Sequence, residues 1–247
     1  PFACVRAEGF PLKGKWGSEY FHNDHPIVLE LGCGKGEYTV GLAERYADRN
    51  YIGLDIKGAR MWHGATQADE RHMDNVAFLR TNIELLPYFF APGEVSEIWI
   101  TFPDPQMKKV RKRLTSTRFV NLYRQVCKHD AVIRLKTDSP FLYTYTCDML
   151  EANGITPSGR TSDLYGAEAS TDLPDGLKEI RTYYEQQWLS RGLTIKYLGF
   201  NIPAADIANE PETEPEHDTY RSFSRGALQG NVPHPENEQE NRKHPTW

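Results

Sequence analysis

Short apolar runs alternate with helically spaced segments along most of the chain. "PIVLEL" (26–31), "NYIGLD" (50–55), "NVAFLR" (75–80), "SEIWITF" (96–102) and "AVIRLKT" (131–137) have the length and near-continuous apolar character of buried strands. Segments 37–47, 58–72, 117–128 and 140–153 carry apolar residues at helical spacing. Strands separated by helices predict an α/β fold with a doubly wound, mostly parallel, Rossmann-like sheet covered on both faces. Near the end, "IRTYYEQQWLSRG" (180–192) fits helix or strand and "LTIKYLGF" (193–200) reads as a strand. The stretch 155–178, rich in Gly, Ser, Asp and Pro, reads as a surface loop.

In such a sheet, ligands sit beyond the carboxyl ends of the strands. Glu30, Asp55, Asn82, Asp104 and Asp138 all fall at or just after those ends. A single polar residue there is an ordinary strand ending, whereas five converging on one edge outline a site.

The loop "LELGCGKGEY" (29–38) places Gly32, Gly34 and Gly36 between the first strand and its helix. A dinucleotide fingerprint needs its third glycine at 37, where this chain has Glu37. A carboxylate at that helix start repels a pyrophosphate. The loop therefore favours a ligand that is uncharged or cationic here, and S-adenosyl-L-methionine fits where NAD does not. Glu30 then faces the cationic methionine part, Asp55 accepts from the ribose hydroxyls, and Asn82 with Ile83 meets the adenine edge.

Charge sharpens the picture once it is located. The net charge is −5, yet residues 201–247 hold nine acids and four bases while residues 1–200 hold 25 of each. The acidic excess lies wholly in the final segment, whose Pro, Glu and Asn content predicts a mobile tail. Three regions follow: an N-terminal segment 1–25, whose first residue, Pro1, suggests a missing native start; a catalytic body 26–200; and the tail 201–247. Within the neutral body, "FPDPQMKKVRKR" sets Asp104 between two prolines and then five bases, Lys108, Lys109, Arg111, Lys112 and Arg113, within six positions. The prolines restrict the backbone on both sides of Asp104. The cations suit RNA phosphates, and Arg118 extends the patch. Four scattered cysteines form no metal or disulfide pattern and predict a reducing cytoplasm; no histidine spacing suggests a metal, and no apolar run suggests a membrane span.

Taken together, "LELGCGKGEY", "YIGLDIKG", "TNIELL", "FPDPQMKK", "LKTDS" and "TYYEQQWLSRG" resemble the tRNA (guanine-N7-)-methyltransferases over roughly residues 26–200. The resemblance implies a class I methyltransferase that transfers a methyl group from S-adenosyl-L-methionine to N7 of a tRNA guanosine. It implies S-adenosyl-L-homocysteine as the second product and position 46 of the variable loop as the target. Glu30, Asp55, Asn82 and Asp104 match family cofactor positions, with Asp104 also the expected catalytic residue. Lys108, Asp138, Thr182 and Glu185 match substrate positions, and Tyr183 and Tyr184 lie within the last motif. Gln106-Met107 stands where the family has Trp-His. A carboxylate accepting from the guanine Watson–Crick edge leaves N7 free, and Asp104, Asp138 and Glu185 are equal candidates for that grip. The other readings are methylation of a different RNA or a protein, and a non-catalytic RNA-binding relative. Monomer and homodimer stay equally open.

Overall fold

The computed structural model describes residues 2–3, 9–166 and 173–221. Its sheet has eight strands: β1 (Phe2–Ala3), β2 (Ile27–Leu31), β3 (Asn50–Asp55), β4 (Val76–Arg80), β5 (Val95–Thr101), β6 (Cys127–Thr137), β7 (Pro157–Thr161) and β8 (Lys196–Asn201). The order is β1-β4-β3-β2-β5-β6-β8-β7. Pairs from β1 through β6 are parallel, while β8 runs antiparallel to both β6 and β7. The strand order turns back at β2 and β5, which lie side by side. A crevice for a ligand opens at such a point.

Successive side chains on each strand enter different cores. Leu29, Ile52, Leu79 and Ile98 join one cluster with Phe119, Tyr123, Leu142 and Met149. Val28, Tyr51, Phe78 and Trp99 join the other with Tyr38, Leu42 and Met61. The helices therefore divide between the faces. α1 (Glu37–Arg45), α2 (Gly58–Glu70) and α6 (Tyr183–Ser190) cover one, and α3 (Leu86–Phe89), α4 (Thr117–Arg124) and α5 (Pro140–Ala152) cover the other. A single turn of π-helix, Trp16–Phe21, places Trp16 and Phe21 with Phe10 in the core that holds Leu29 and Phe119, where Trp16 Nε1 donates to the Phe89 carbonyl at 3.0 Å.

Two expectations need correction. The stretch 155–178 contains the edge strand β7, whose side chains are no more than half-buried and whose Pro-Ser-Gly-Arg-Thr sequence has no apolar period. A strand made by backbone pairing to β8 leaves little trace in such residues. The acidic segment, expected to be mobile from 201, is instead packed as far as 215. Ile207 is buried, its amide donating to Asn121 Oδ1 and its carbonyl accepting from Asn121 Nδ2. Asn209 and Asn153 exchange bonds, and Arg124 pairs with Asp206. Paired polar side chains do here what apolar burial does elsewhere. Residues up to 215 form one compact unit; residues 216–221 begin a second, with one 3₁₀ turn at Thr219–Arg221, and the rest of the tail lies outside the described residues.

Glu210 shows the consequence. The N-cap residue of α4, Ser116, makes no side-chain capping bond, and its hydroxyl is unpartnered. Glu210 Oε1 instead accepts from Thr117 N at 3.1 Å and Thr117 Oγ1 at 2.7 Å, while Oε2 accepts from Tyr145 Oη at 2.5 Å. A carboxylate from 93 positions away thus caps α4 and ties it to α5. We expect Glu210→Ala to lower unfolding free energy by about 1–3 kcal/mol in urea titrations. An unchanged midpoint would remove the segment from the folded unit.

Candidate functional site

The site is assembled where β2 and β5 part. Glu30, near the end of β2, is only 4% exposed. Its Oε2 accepts from Thr39 N at 2.8 Å and from the Thr39 hydroxyl on α1, and its Oε1 accepts from Thr101 Oγ1 of β5 at 2.6 Å. These partners are neutral. Two other buried carboxylates have cations: Glu97 on β5 meets Arg134 and Arg49, and Glu185 on α6 meets Lys136. Burial without a cation pushes the Glu30 carboxyl up to about 7, against the lowering effect of the threonine bonds.

The glycine loop runs beside it. Gly32 and Gly34 have positive φ, and a Cβ on either would point into open space. The loop therefore presents bare backbone to open space, as close approach of a ligand requires. Gly36, the N-cap of α1, differs: a Cβ there would lie 2.5 Å from the Phe78 ring, so this glycine serves packing. Asp55 closes the loop's other side, with Oδ2 accepting from Gly34 N at 3.0 Å and Oδ1 from Lys57 N at 2.8 Å. Asn82 is exposed just beyond β4 and caps the turn Ile83–Leu85, with half-buried Ile83 after it. The cradle carries two carboxylates, bare backbone between them and an amide at its far edge. That set of groups fits S-adenosyl-L-methionine, which carries an ammonium and a sulfonium for a carboxylate to face.

Beyond β5 the chain makes a strained turn. Phe102 and Gln106 have φ of 47° and 48°, values rare for residues with a side chain. Pro103 and Pro105 are buried while Asp104 between them is exposed, its Oδ1 accepting from Gln106 N at 2.9 Å. Strain of this kind persists when the surroundings over-determine it. Arg113 does so here. Expected as part of a surface cationic run, it is 2% exposed. Its guanidinium lies 4.6 Å from the Phe141 ring and 4.4 Å from the Tyr145 ring. It donates to the carbonyls of Gln106 (3.4 Å) and Met107 (2.7 Å) and to Glu214 Oε1 (2.6 Å). Sequence reading missed this because an arginine among lysines carries no mark of burial; the aromatic spacing of Phe141 and Tyr145 was its only signal.

The remaining expected residues divide by burial. Asp138 and Glu185 are fully buried, and Asp104 is the exposed carboxylate of the three. The Asp138 carbonyl accepts from Lys196 Nζ at 3.1 Å. Thr182 caps α6 by accepting from Glu185 N at 3.2 Å, the first half of a capping box. Glu185 does not complete the box. Its Oε1 turns inward to Lys136 Nζ at 2.8 Å and Tyr165 Oη at 2.7 Å, leaving Oε2 a buried acceptor with no partner. Burial lowers the Lys136 pKa, and Glu185 opposes that shift. Tyr183 and Tyr184 are exposed, which excludes a core role; Lys35 of the glycine loop lies over the Tyr183 ring at 5.0 Å, and Glu37 accepts from Tyr183 N at 3.2 Å. Thus α6 is fastened to the glycine loop. Lys108, Lys109 and Arg111 are exposed, whereas Lys112 and Arg118 both pair with Glu84.

A family model described as "Putative methyltransferase" matches residues 24–198. Among curated proteins, a tRNA (guanine-N(7)-)-methyltransferase of Porphyromonas gingivalis is 58% identical over 236 residues, covering 94% of this chain and 96% of that one. The protein of the same name from Bacteroides thetaiotaomicron is 56% identical, covering 93% and 90%, and that from Brevibacillus brevis is 32% identical, covering 74% and 83%. Among solved structures, the 16S rRNA methyltransferase KamB superposes with a TM-score of 0.57 at 16% identity, covering 75% of this chain and 91% of that one. That likeness is one of fold.

If Arg113 sustains the turn, Arg113→Lys should loosen it, because an ammonium cannot fork to two carbonyls and stack between rings. We expect amide hydrogen exchange over residues 104–109 to rise by about tenfold or more, on the scale of one lost charge-assisted bond. Unchanged exchange would assign the turn's rigidity to the prolines alone.

Proposed function

This chain belongs to the family of tRNA (guanine-N(7)-)-methyltransferases, and from that premise we propose how its site performs methyl transfer to guanine N7 in tRNA. The observation that carries the reading is the buried Glu30 carboxylate, held by neutral partners beside an open glycine cradle. S-adenosyl-L-methionine, when bound, supplies a methyl group on a sulfonium and leaves as S-adenosyl-L-homocysteine. Glu30 binds the cationic end, Asp55 accepts from the ribose hydroxyls, and the Asn82–Ile83 turn meets the adenine. Gly32 and Gly34 let the backbone approach.

Guanine N7 has an in-plane lone pair and bears no proton, so no general base is required. The chain's task is alignment and stabilisation of the positive charge that develops on the purine. Asp104 suits both. Its carboxylate is exposed at the mouth, its backbone is confined by two buried prolines, and its orientation is held by Gln106 N. Accepting from the Watson–Crick edge, it fixes the base with N7 open to attack. Asp138 and Glu185 support the site from within, Glu185 through Lys136 and the capped start of α6. Tyr183 and Tyr184 offer exposed faces for base stacking, and Lys108, Lys109 and Arg111 offer charge for phosphates.

The cysteines Cys33, Cys127 and Cys147 are free, which supports a reducing, cytoplasmic setting; among the described residues no helix is long and apolar enough to cross a membrane.

Incubation with unmodified tRNA, followed by reduction and aniline cleavage at N7-methylguanosine, tests the assignment. Wild type should yield one cleavage within the variable loop. Asp104→Asn keeps the shape and removes the charge, and its single-turnover rate should fall about 10²-fold, the scale of losing one preorganised electrostatic partner. Near-normal turnover in folded Asp104→Asn would remove it from catalysis, and absence of cleavage with wild type would overturn N7 methylation.

A further inference from the structure

Glu84 joins the cofactor edge to the basic segment. Its Oε1 accepts from Lys112 Nζ at 3.0 Å and from Arg118 Nη1 at 2.7 Å. Its Oε2 accepts from Asn82 Nδ2 at 3.3 Å, and its amide donates to Asn82 Oδ1 at 3.2 Å. Arg118 Nη1 also donates to the Arg111 carbonyl at 3.1 Å. The bonds from Lys112 and Arg118 hold the Glu84 carboxyl below its ordinary range, so it is ionised at neutral pH.

Two cations converging on one carboxylate oxygen are placed to take a phosphate oxygen in its stead. The cluster is open to solvent, with side-chain exposures of 24% for Glu84, 53% for Lys112 and 43% for Arg118. Ion pairs this exposed contribute little stability. Their effect on charge is larger: with Glu84 in place, the Lys112–Arg118 pair presents a net +1 rather than +2. The same stretch exposes Tyr88, whose ring offers a face on which a base can stack.

We propose that Glu84 is a specificity-determining phosphate surrogate: it occupies a two-cation seat that a correctly docked tRNA phosphate takes over. The proposal rests on the tRNA reading above and extends it. Lys108, Lys109 and Arg111 are open to any RNA, whereas Lys112 and Arg118 are engaged only when docking at Asp104 displaces Glu84. Non-specific RNA, lacking that docking energy, meets a built-in competitor. The displaced carboxylate adjoins Asn82, so the exchange occurs at the adenine edge of the cofactor site.

The test is fluorescence anisotropy over a range of salt, with unmodified tRNA and with poly(U). Each engaged cation adds about 0.7–0.9 to the slope of log affinity against log salt. Glu84→Gln should steepen the poly(U) slope by about 0.7 or more and tighten poly(U) binding several-fold, while leaving the tRNA slope unchanged. Lys112→Gln with Arg118→Gln, in the otherwise wild-type chain, should flatten the tRNA slope by more than it flattens the poly(U) slope. An unchanged poly(U) slope in folded Glu84→Gln, or a double variant that shifts both slopes equally, would overturn the proposal; if Glu84→Gln fails to fold, the double variant decides. Wild-type methyl transfer to tRNA, measured in parallel, separates failure of this proposal from failure of the tRNA assignment.

Discussion

A buried carboxylate with no cation organises this molecule. Glu30 stands where β2 and β5 part, and hydroxyls from β5 and α1 and an amide from α1 hold it there. Burying a carboxylate on neutral bonds alone is costly, and the raised pKa records that cost. Elsewhere on the sheet the chain supplies the missing cation, as Arg134 and Arg49 do for Glu97. At Glu30 it supplies open backbone at Gly32 and Gly34 instead. In the proposed mechanism a cationic ligand completes the electrostatics at Glu30, which favours a sulfonium cofactor over a dinucleotide.

The second centre is mechanical. Asp104, the proposed catalytic residue, sits in a turn with two strained residues, and strain needs support from outside the turn. Arg113 grips the carbonyls of Gln106 and Met107, aromatic rings of α5 enclose Arg113, and Glu214 pairs with its guanidinium. Four residues earlier, Glu210 clamps α4 to α5. Asp206, Glu210 and Glu214 of the acidic segment each meet a particular partner, and Glu210 and Glu214 are part of what holds the Asp104 turn.

The parallel strands and the glycine cradle were legible because apolar runs and positive-φ glycines leave local marks. Strands β3 and β4 lie within one residue of their expected bounds, and Glu30, Asp55, Asn82 and Asp104 fall on the carboxyl edge. What stayed hidden depends on partners distant in sequence. Arg113 reads as one more surface base until Phe141 and Tyr145 close over it, and Glu210 reads as tail until α4 is found without a cap of its own. Asp138 and Glu185 read as equals of Asp104, since a carboxylate's burial is not written in its neighbours. β7 was invisible because its order comes from β8.

The most direct test of the account is calorimetry of S-adenosyl-L-methionine binding in buffers of different ionisation enthalpy. With the free carboxyl near 7, a bound cation lowers the Glu30 pKa and expels its proton. Affinity should rise with pH between about 5.5 and 7.5, approaching tenfold per unit at the acid end, with up to about one proton released. Glu30→Gln should abolish both the slope and the release and weaken binding. Flat affinity without proton release in the wild type, or wild-type affinity in Glu30→Gln, would contradict the claim that this uncompensated carboxylate is the cofactor's anchor.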